Sequence, residues 1–389
     1  MKKFSLHPTV LLVSGLVIAA VSFTAGNFAR HTKFDPFYPV TSAIDFSSLN
    51  DIYSLMQRNF DGKLTPQAAL DGARKGLVAA GGDPYTVYMD PAESKDLSDQ
   101  LSGKLSGVGA QIGIKNSYLT VIAPIIGSPA EAAGLKPADI IAQIDGESTT
   151  GMSVDTAVSK IRGKAGTKVT LKIVRGSTPP FDVTITRADL TIPSVAWSIK
   201  NGNVGYIQIS TFGTDTSDLI VKAAGELKAK GATKVILDLR NDGGGYLDAG
   251  VVVASQFLPQ GKLVVEERTD GKSVDKLKAQ GGGLLVGLPT VVLINGGSAS
   301  ASEIVAGALH DNGAAKLVGE KSFGKGSVQE IKPLDGNGQL KLTIAHWYTP
   351  TGININKEGI QPDVAVTLTN DDFSANRDPQ LDKALQLLQ

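Results

Sequence analysis

Apolar residues recur at three- and four-residue steps from Phe46 to about Lys75. Leu49, Ile52, Tyr53, Met56 and Phe60 fall on one face of a helix. Thr65-Pro66 opens a second short helix, with Thr65 as N-cap and Pro66 at the first helical position. Asp83-Pro84-Tyr85 and Asp90-Pro91 mark turns. From Gly107 to Arg187 the texture becomes short strands and turns. Gln111–Ile114, Tyr118–Ala123 and Asp139–Ile144 read as strands, with a turn at Asp145-Gly146. Ser128-Pro129-Ala130-Glu131 reads as a capping box opening a helix that Gly134 ends, and Ser153–Ile161 as a second helix. Lys168–Arg175 and Phe181–Arg187 form a hairpin. From Ser194 to Leu368 strands alternate with helices. The strands are Val204–Ile209, Lys234–Leu239, Thr290–Ile294, Lys316–Val318 and Gln339–Trp347; the helices are Thr216–Lys230, closed by Gly231, and Ala301–Leu309. That alternation predicts a mainly parallel sheet covered on both faces.

One apolar stretch obeys neither period. Val10 to Ala25 carries no charge and follows Lys2 and Lys3. This is the basic region and apolar run of an export signal, with a length between a signal peptide and the roughly 20 residues of a spanning helix. Phe23 stands where a cleavage site wants a small residue, which favours an uncleaved anchor. A buried core helix is the poorer reading, because basic residues flank the run. The remainder is expected to be exported, periplasmic or in the cell envelope, with membrane contact through this segment only.

Composition narrows the picture. A length of 389 residues allows two or three domains, and 42% hydrophobic with 20% charged residues can build a core. Lys+Arg and Asp+Glu are both 38, so the chain lacks the basic excess of a nucleic-acid binder. Cysteine is absent, excluding disulfides, thiolate metal sites and a cysteine nucleophile. With four histidines, a histidine-rich metal site is not expected either; no cofactor is implied.

Three segments carry candidate chemistry. In Asp238-Leu239-Arg240-Asn241-Asp242-Gly243-Gly244-Gly245, a strand end runs into glycines that could aim a backbone amide into a cleft, or form an ordinary turn. In Asn295-Gly296-Gly297-Ser298-Ala299-Ser300-Ala301-Ser302-Glu303, Ser300 sits at a helix N-terminus, where free N–H groups favour negative charge; Ser300-x-x-Glu303 is equally a capping box. In Lys321-Ser322-Phe323-Gly324-Lys325-Gly326-Ser327-Val328-Gln329, Lys325 lies between glycines, an odd place for a surface lysine. Gly319-x4-Gly324-Lys325 nearly matches a phosphate-binding loop, but Gly326 replaces the Ser/Thr and a strand follows where a helix is required.

The stretch 101–187 resembles a PDZ domain of the permuted bacterial kind, through Gly107-Val108-Gly109-Ala110, Ser128–Asp139 and Ile161-Arg162-Gly163. Such a domain needs N–H donors for a peptide carboxylate and an open strand edge for its main chain. Gly107, Val108, Gly109 and Ala110 are the candidates for the first, and Gln111–Ile114 for the second. Arg162 is a candidate gating contact, or simply a cation at a helix C-terminus.

Together with Asp83–Pro91, Tyr348–Gly352 and Gly359–Asp363, the three chemical segments resemble the C-terminal processing peptidases, from about Leu49 to the end. The resemblance implies a multidomain α/β and α+β protein. Residues 31–100 would be a helical lead-in, 188–368 a catalytic domain with the crotonase/Clp-protease-like spiral of ββα units, and 369–389 a C-terminal helical segment, with 1–30 as signal or anchor. It implies Ser300 as nucleophile, Lys325 as general base, Gln329 as orienting amide and the N–H groups of Gly244 and Ala301 as oxyanion donors. Substrates would be proteins or peptides with free C-termini. Homo-oligomerisation through the terminal helices is a further implication.

The chemistry of the residues agrees. Serine needs a base, and no Gly-x-Ser-x-Gly elbow is present. His310 lies about 15 Å along the same helix from Ser300; His346 is a minor candidate. Lys325 can serve when neutral, which takes its pKa down by about 3 units, or roughly 4 kcal/mol, by burial without a carboxylate partner. Gln329 could hold the amine without adding charge. Lys321, Ser298 and Ser302 are rivals. Two segments depart from the family pattern: Asn241-Asp242-Gly243-Gly244-Gly245 stands for Asn-Asn-Pro-Gly-Gly, adding a carboxylate, and Gly352-Ile353-Asn354-Ile355-Asn356 for Gly-Arg-Ser-Ile-Gln. The alternatives are an inactive PDZ-containing scaffold, and a crotonase-type acyl-CoA enzyme, which would need paired carboxylates and no PDZ insertion.

Overall fold

The computed structural model describes residues 45–389 apart from 116, 126, 370, 373, 374 and 376. The export segment expected at 1–30 lies outside the described residues; among those described, no helix is long and apolar enough to cross a membrane. The chain divides into a unit ending at Leu70 and a unit from Asp71 to Gln389. In the first, α1 (Ser47–Asn59) carries the expected stripe, and Leu49, Ile52, Leu55 and Phe60 are exposed. The helical pattern breaks after Asn59 and resumes at Pro66, where Thr65 Oγ1 accepts the Ala68 N–H at 3.1 Å. The second helix, α2 (Pro66–Ala79), runs on into the larger unit.

The larger unit opens with β1 (Val87–Met89) and α3 (Pro91–Leu101), the latter capped by Asp90 in a capping box with Glu93. β2 (Lys104–Gly107) then pairs antiparallel with β9 (Ala188–Thr191), and this ribbon carries the chain into and out of an inserted module. The module holds β3 (Ala110–Lys115), β4 (Tyr118–Pro124), α4 (Pro129–Ala132), β5 (Ile140–Ile144), β6 (Glu147–Ser148), α5 (Val154–Ile161), β7 (Lys168–Val174) and β8 (Phe181–Thr186). Its sheet runs β3-β4-β5-β7-β8 around a core of its own, including Leu119, Val121, Ile141, Leu171 and Ile173. Alternation explains the pattern: in Lys168–Val174 every second side chain is buried. One detail differs from expectation. Ser128 caps α4, but the Glu131 carboxylate accepts from Gly127 N–H at 2.7 Å, because the Ser128 N–H is already taken by Ile125 O at 3.0 Å.

Beyond the module lies a six-stranded sheet of β10 (Val195–Lys200), β11 (Val204–Ile209), β12 (Lys234–Asp238), β15 (Thr290–Ile294), β16 (Lys316–Gly319) and β19 (Val364–Ala365). β10 is antiparallel to β11 and the other pairings are parallel. Thr290–Ile294 is buried at every position, as a strand covered on both faces must be. One face packs on α6 (Thr216–Ala229), α7 (Leu247–Ser255) and α8 (Ala301–Asp311). The other receives Ala384 and Leu388 at the end of the chain, where α9 spans Pro379–Leu387. A second sheet joins β1, β17 (Ser327–Pro333), β18 (Gln339–Tyr348), β13 (Leu263–Thr269) and β14 (Lys272–Lys278). The architecture is the expected one. The hairpin β13–β14 and helix α7 are additions: Lys272–Lys278 is exposed almost throughout and offers no alternation to read, and Leu247–Ser255 is too uniformly apolar to show a helical stripe.

Candidate active site

The three segments singled out in the sequence meet in one cleft of about 380 Å³, lined among others by Gly244, Ser300, Ala301, Lys325, Gln329 and Lys341. Each is delivered by the end of a sheet strand or the start of a facing one. Ser300 follows β15 and immediately precedes α8, so the first-turn N–H groups of the helix, Ala301's among them, have no partner within the helix. An ordinary N-cap has extended backbone. Ser300 instead has φ 55° and ψ −115°, a left-handed-side conformation that a side-chain-bearing residue holds only under constraint. The rival serines are occupied. Ser298 Oγ donates to Leu239 O at 2.8 Å and Ser302 Oγ to Asp242 O at 2.9 Å, both fully buried. His310 pairs with Asp311 and Asp363, and His346 is exposed on β18.

Lys325 is half-buried, whereas Lys321 is exposed. Its flanking glycines are steric necessities. Gly324 has φ 93°, and a Cβ there would meet Gly359 N at 2.9 Å; a Cβ on Gly326 would meet Asn356 N at 2.7 Å. The segment 352–356, which departs from the family pattern, is thus the backing of the lysine loop: Asn354 Nδ2 donates to Trp347 O at 3.1 Å and Ile355 is buried. Trp347 Nε1 donates to Lys325 O at 2.8 Å. Burial pulls the amine's pKa below the ordinary lysine value, and the charge of Lys341 pulls the same way; Glu303 and Asp83 pull back. Among the described residues no ion pair is formed by that amine. The Tyr85 ring lies 5.4 Å from Nζ.

One buried carboxylate does more than the capping box its spacing predicts. Glu303 accepts from Ser300 N at 2.9 Å, Ser322 Oγ at 2.6 Å, Gly324 N at 2.7 Å and Lys325 N at 3.0 Å. It therefore fixes the backbones of both Ser300 and Lys325. Burial pushes its own pKa up, against those four hydrogen bonds.

Gly244 has φ 94°, and a Cβ there would lie 2.8 Å from Ser300 Cβ and 2.9 Å from Ala301 N, so the glycine loop and the start of α8 are in direct apposition. Its N–H, however, donates to Asp242 Oδ1 at 2.8 Å. Gln329 also departs from expectation. Its Nε2 donates to Ser327 Oγ at 2.8 Å and Thr343 Oγ1 at 3.3 Å, and no hydrogen bond joins it to the Lys325 amine among the described residues. The reason is register: Gln329 pairs with Thr343 across β17–β18. Thr343 in turn donates to Asp83 Oδ2, as does Thr86 at 2.6 Å. The Asp83–Pro91 motif, to which sequence gave no role beyond turns, thereby seats Tyr85 beside Lys325.

In the inserted module, Gly107, Val108, Gly109, Ala110 and Arg162 line a second cleft of about 240 Å³ whose floor is Leu135, Ile141, Val158, Ile161 and Leu171. Gly109 has φ 77°, and Ser128 Oγ donates to its carbonyl at 2.8 Å. Arg162 is exposed and forms no ion pair among the described residues.

Two family profiles match the chain: peptidase family S41 over residues 203–366 and the PDZ domain over residues 120–175. The carboxy-terminal processing protease CtpA of Bacillus subtilis is 37% identical over 360 residues, covering 92% of this chain and 76% of that protein. A carboxy-terminal-processing protease of Bartonella bacilliformis is 36% identical over 362 residues, covering 92% and 80%. Among solved structures, the photosystem II D1 C-terminal processing protease superposes with a TM-score of 0.53 at 29% identity, covering 85% of this chain and 90% of that one. A putative S41 protease from Bacteroides fragilis shares the fold, with a TM-score of 0.62 at 17% identity, covering 90% and 98%.

Proposed function

The chain belongs to peptidase family S41, with the carboxy-terminal processing proteases, and from that premise we propose that it is an exported serine endopeptidase working through a Ser300–Lys325 dyad. In this reading Lys325, neutral, takes the proton of the Ser300 hydroxyl as Oγ attacks the scissile carbonyl carbon. The N–H groups of Gly244 and Ala301 receive the oxyanion, Lys325 returns the proton to the leaving amine, and water hydrolyses the acyl-enzyme. Leu97, Leu101, Leu247, Ile304 and Trp347 along the cleft favour an apolar side chain next to the scissile bond. The module cleft, glycine-rimmed and apolar-floored, suits a free peptide C-terminus ending in an apolar residue. The charge-free run at 10–25 supports export.

The observation that carries the reading is the shared cleft. A serine held at positive φ beside a glycine amide faces the same space as a half-buried lysine that forms no ion pair among the described residues. The test is labelling of the full-length chain with a fluorophosphonate, together with cleavage of peptides bearing a free or an amidated C-terminus. Labelling at Ser300 that S300A abolishes, and cleavage that K325M abolishes and amidation weakens, are expected. A folded wild-type chain that takes no label and cleaves nothing would instead be a binding protein.

A further inference from the structure

The Asp242 side chain is the least comfortable polar group in the cleft wall. The residue is fully buried, its Oδ1 accepts the Gly244 N–H at 2.8 Å, and its Oδ2 has no hydrogen-bond partner among the described residues. Its backbone is fixed independently: Asp242 O accepts from Ala299 N and Ser302 Oγ, each at 2.9 Å. Gly244 O is likewise fixed, by Phe212 N at 3.0 Å and Thr211 Oγ1 at 3.1 Å. Between these anchors lies the Gly243–Gly244 peptide. Among the described residues, the hydrogen bond to Asp242 is what fixes its orientation, and glycine at both ends lets it turn.

We infer that Asp242 is a positioning residue for peptide hydrolysis, its carboxylate competing with the substrate oxyanion for the Gly244 N–H. This rests on the proposed role of Gly244 beside Ser300. A charged acceptor holds an N–H about twice as strongly as a neutral one, and its charge also opposes the negative charge developing on the substrate. Catalysis is therefore better served when the acid is neutral. Burial raises the Asp242 pKa to about 7, against the Gly244 N–H, so the competition switches on near neutrality. The titratable groups on the elements around it make no hydrogen bond to its carboxylate among the described residues. Glu303 of α8 holds Ser300 and Lys325, Asp238 and Arg240 of β12 and its loop pair with each other, Asp215 beside Phe212 accepts Ser194 N, and Lys325 and Lys341 line the cleft.

The test is the pH dependence of kcat and KM for wild type and D242N. Wild-type kcat should carry two opposed effects, a rise as Lys325 loses its proton and a fall as Asp242 ionises near pH 7. D242N should keep the rise and lose the fall, exceeding wild type on the order of tenfold above pH 8 with KM unchanged. A uniform loss of kcat in D242N, or a profile that superposes on wild type, would overturn the inference. A second measurement does not need turnover. In the S300A chain with 15N-glycine, the Gly244 amide shift should titrate near neutral pH, and not in S300A/D242N; a flat Gly244 shift overturns the inference. Failure of the dyad reading is distinguishable, because it appears as absent fluorophosphonate labelling of wild type whatever the Gly244 amide does.

Discussion

Glu303 accepts the backbone N–H of Lys325 at 3.0 Å through the same oxygen that accepts the N–H of Ser300 at 2.9 Å. Its other oxygen takes Ser322 Oγ and Gly324 N. One carboxylate thus ties the start of α8 to the loop before β17, and the two loops keep a fixed spacing without any bond between the two reactive side chains. Among the described residues the Lys325 amine forms no ion pair, and the acid acts on its backbone.

E303Q tests this. The amide can offer an oxygen to one pair of donors and must turn its NH2 towards the other, so either the Ser300 and Lys325 N–H groups together, or Ser322 and Gly324, lose their acceptor. A displacement of about 1 Å at such a site can lower kcat on the order of 100-fold. The same loss should appear in fluorophosphonate labelling, with KM for peptide little changed. Near-wild-type kcat in a folded E303Q chain would show that the four hydrogen bonds do not position the dyad.

Lys341 gives a prediction with a definite sign. Burial and then the Lys341 charge hold the Lys325 pKa down. K341M removes the second effect, so Lys325 stays protonated to higher pH and the rising limb of kcat/KM moves alkaline. K325M should do the reverse to stability. A lysine whose folded pKa lies below its unfolded value destabilises the fold while the unfolded chain holds the extra proton, and the deficit closes as pH rises towards about 10.4. K325M is therefore expected to melt above wild type at pH 7, with the gap narrowing towards pH 10. A K325M chain that melts below wild type at pH 7 contradicts a buried, strained cation.

The elements that sequence resolved are those with one strong period: the buried strands Lys234–Asp238 and Thr290–Ile294, helix Thr216–Ala229 and the alternating Lys168–Val174. Ser300, Lys325 and Gly244 were legible because each sits in a local pattern odd for a merely structural role. Glu303 was visible but had a sufficient explanation as a cap, and its long-range partners at 322–325 leave no trace in spacing. The partner of Gln329 depended on the register of β17 against β18. The grip of Asp242 on Gly244 is a two-residue turn that any glycine loop could make.

The C-terminal helix should report on acid stability. Arg240 bridges Asp238 and Asp378, with the Asp378 contacts at 2.9 Å and the closest Asp238 contact at 2.6 Å. Burial pushes the Asp378 carboxyl up, but Arg240 and the Leu381 N–H outweigh it and hold the pKa below the ordinary value. For an acid with a depressed folded pKa, the stabilisation is present above the unfolded value near 3.9 and is lost as pH falls through the folded one. Urea unfolding should weaken below about pH 4 in wild type. D378N should be less stable at pH 7 by roughly 1 kcal/mol, allowing for partial exposure, and flatter below pH 4. Parallel wild-type and D378N curves would remove Asp378 from the acid response.

The backbone of Ser300 offers a last test, independent of turnover. At φ 55° and ψ −115° the residue pays roughly 1–3 kcal/mol relative to a relaxed conformation. Glycine tolerates that geometry, although it gives up about 1 kcal/mol through the greater freedom of the unfolded chain. S300A keeps the strain and S300G relieves it. Both variants should be inactive, and S300G is expected to melt at or above S300A, since strain relief and the ordinary N-cap preference for glycine over alanine act in the same direction. If S300G melts clearly below S300A, the backbone constraint argued for the nucleophile is absent.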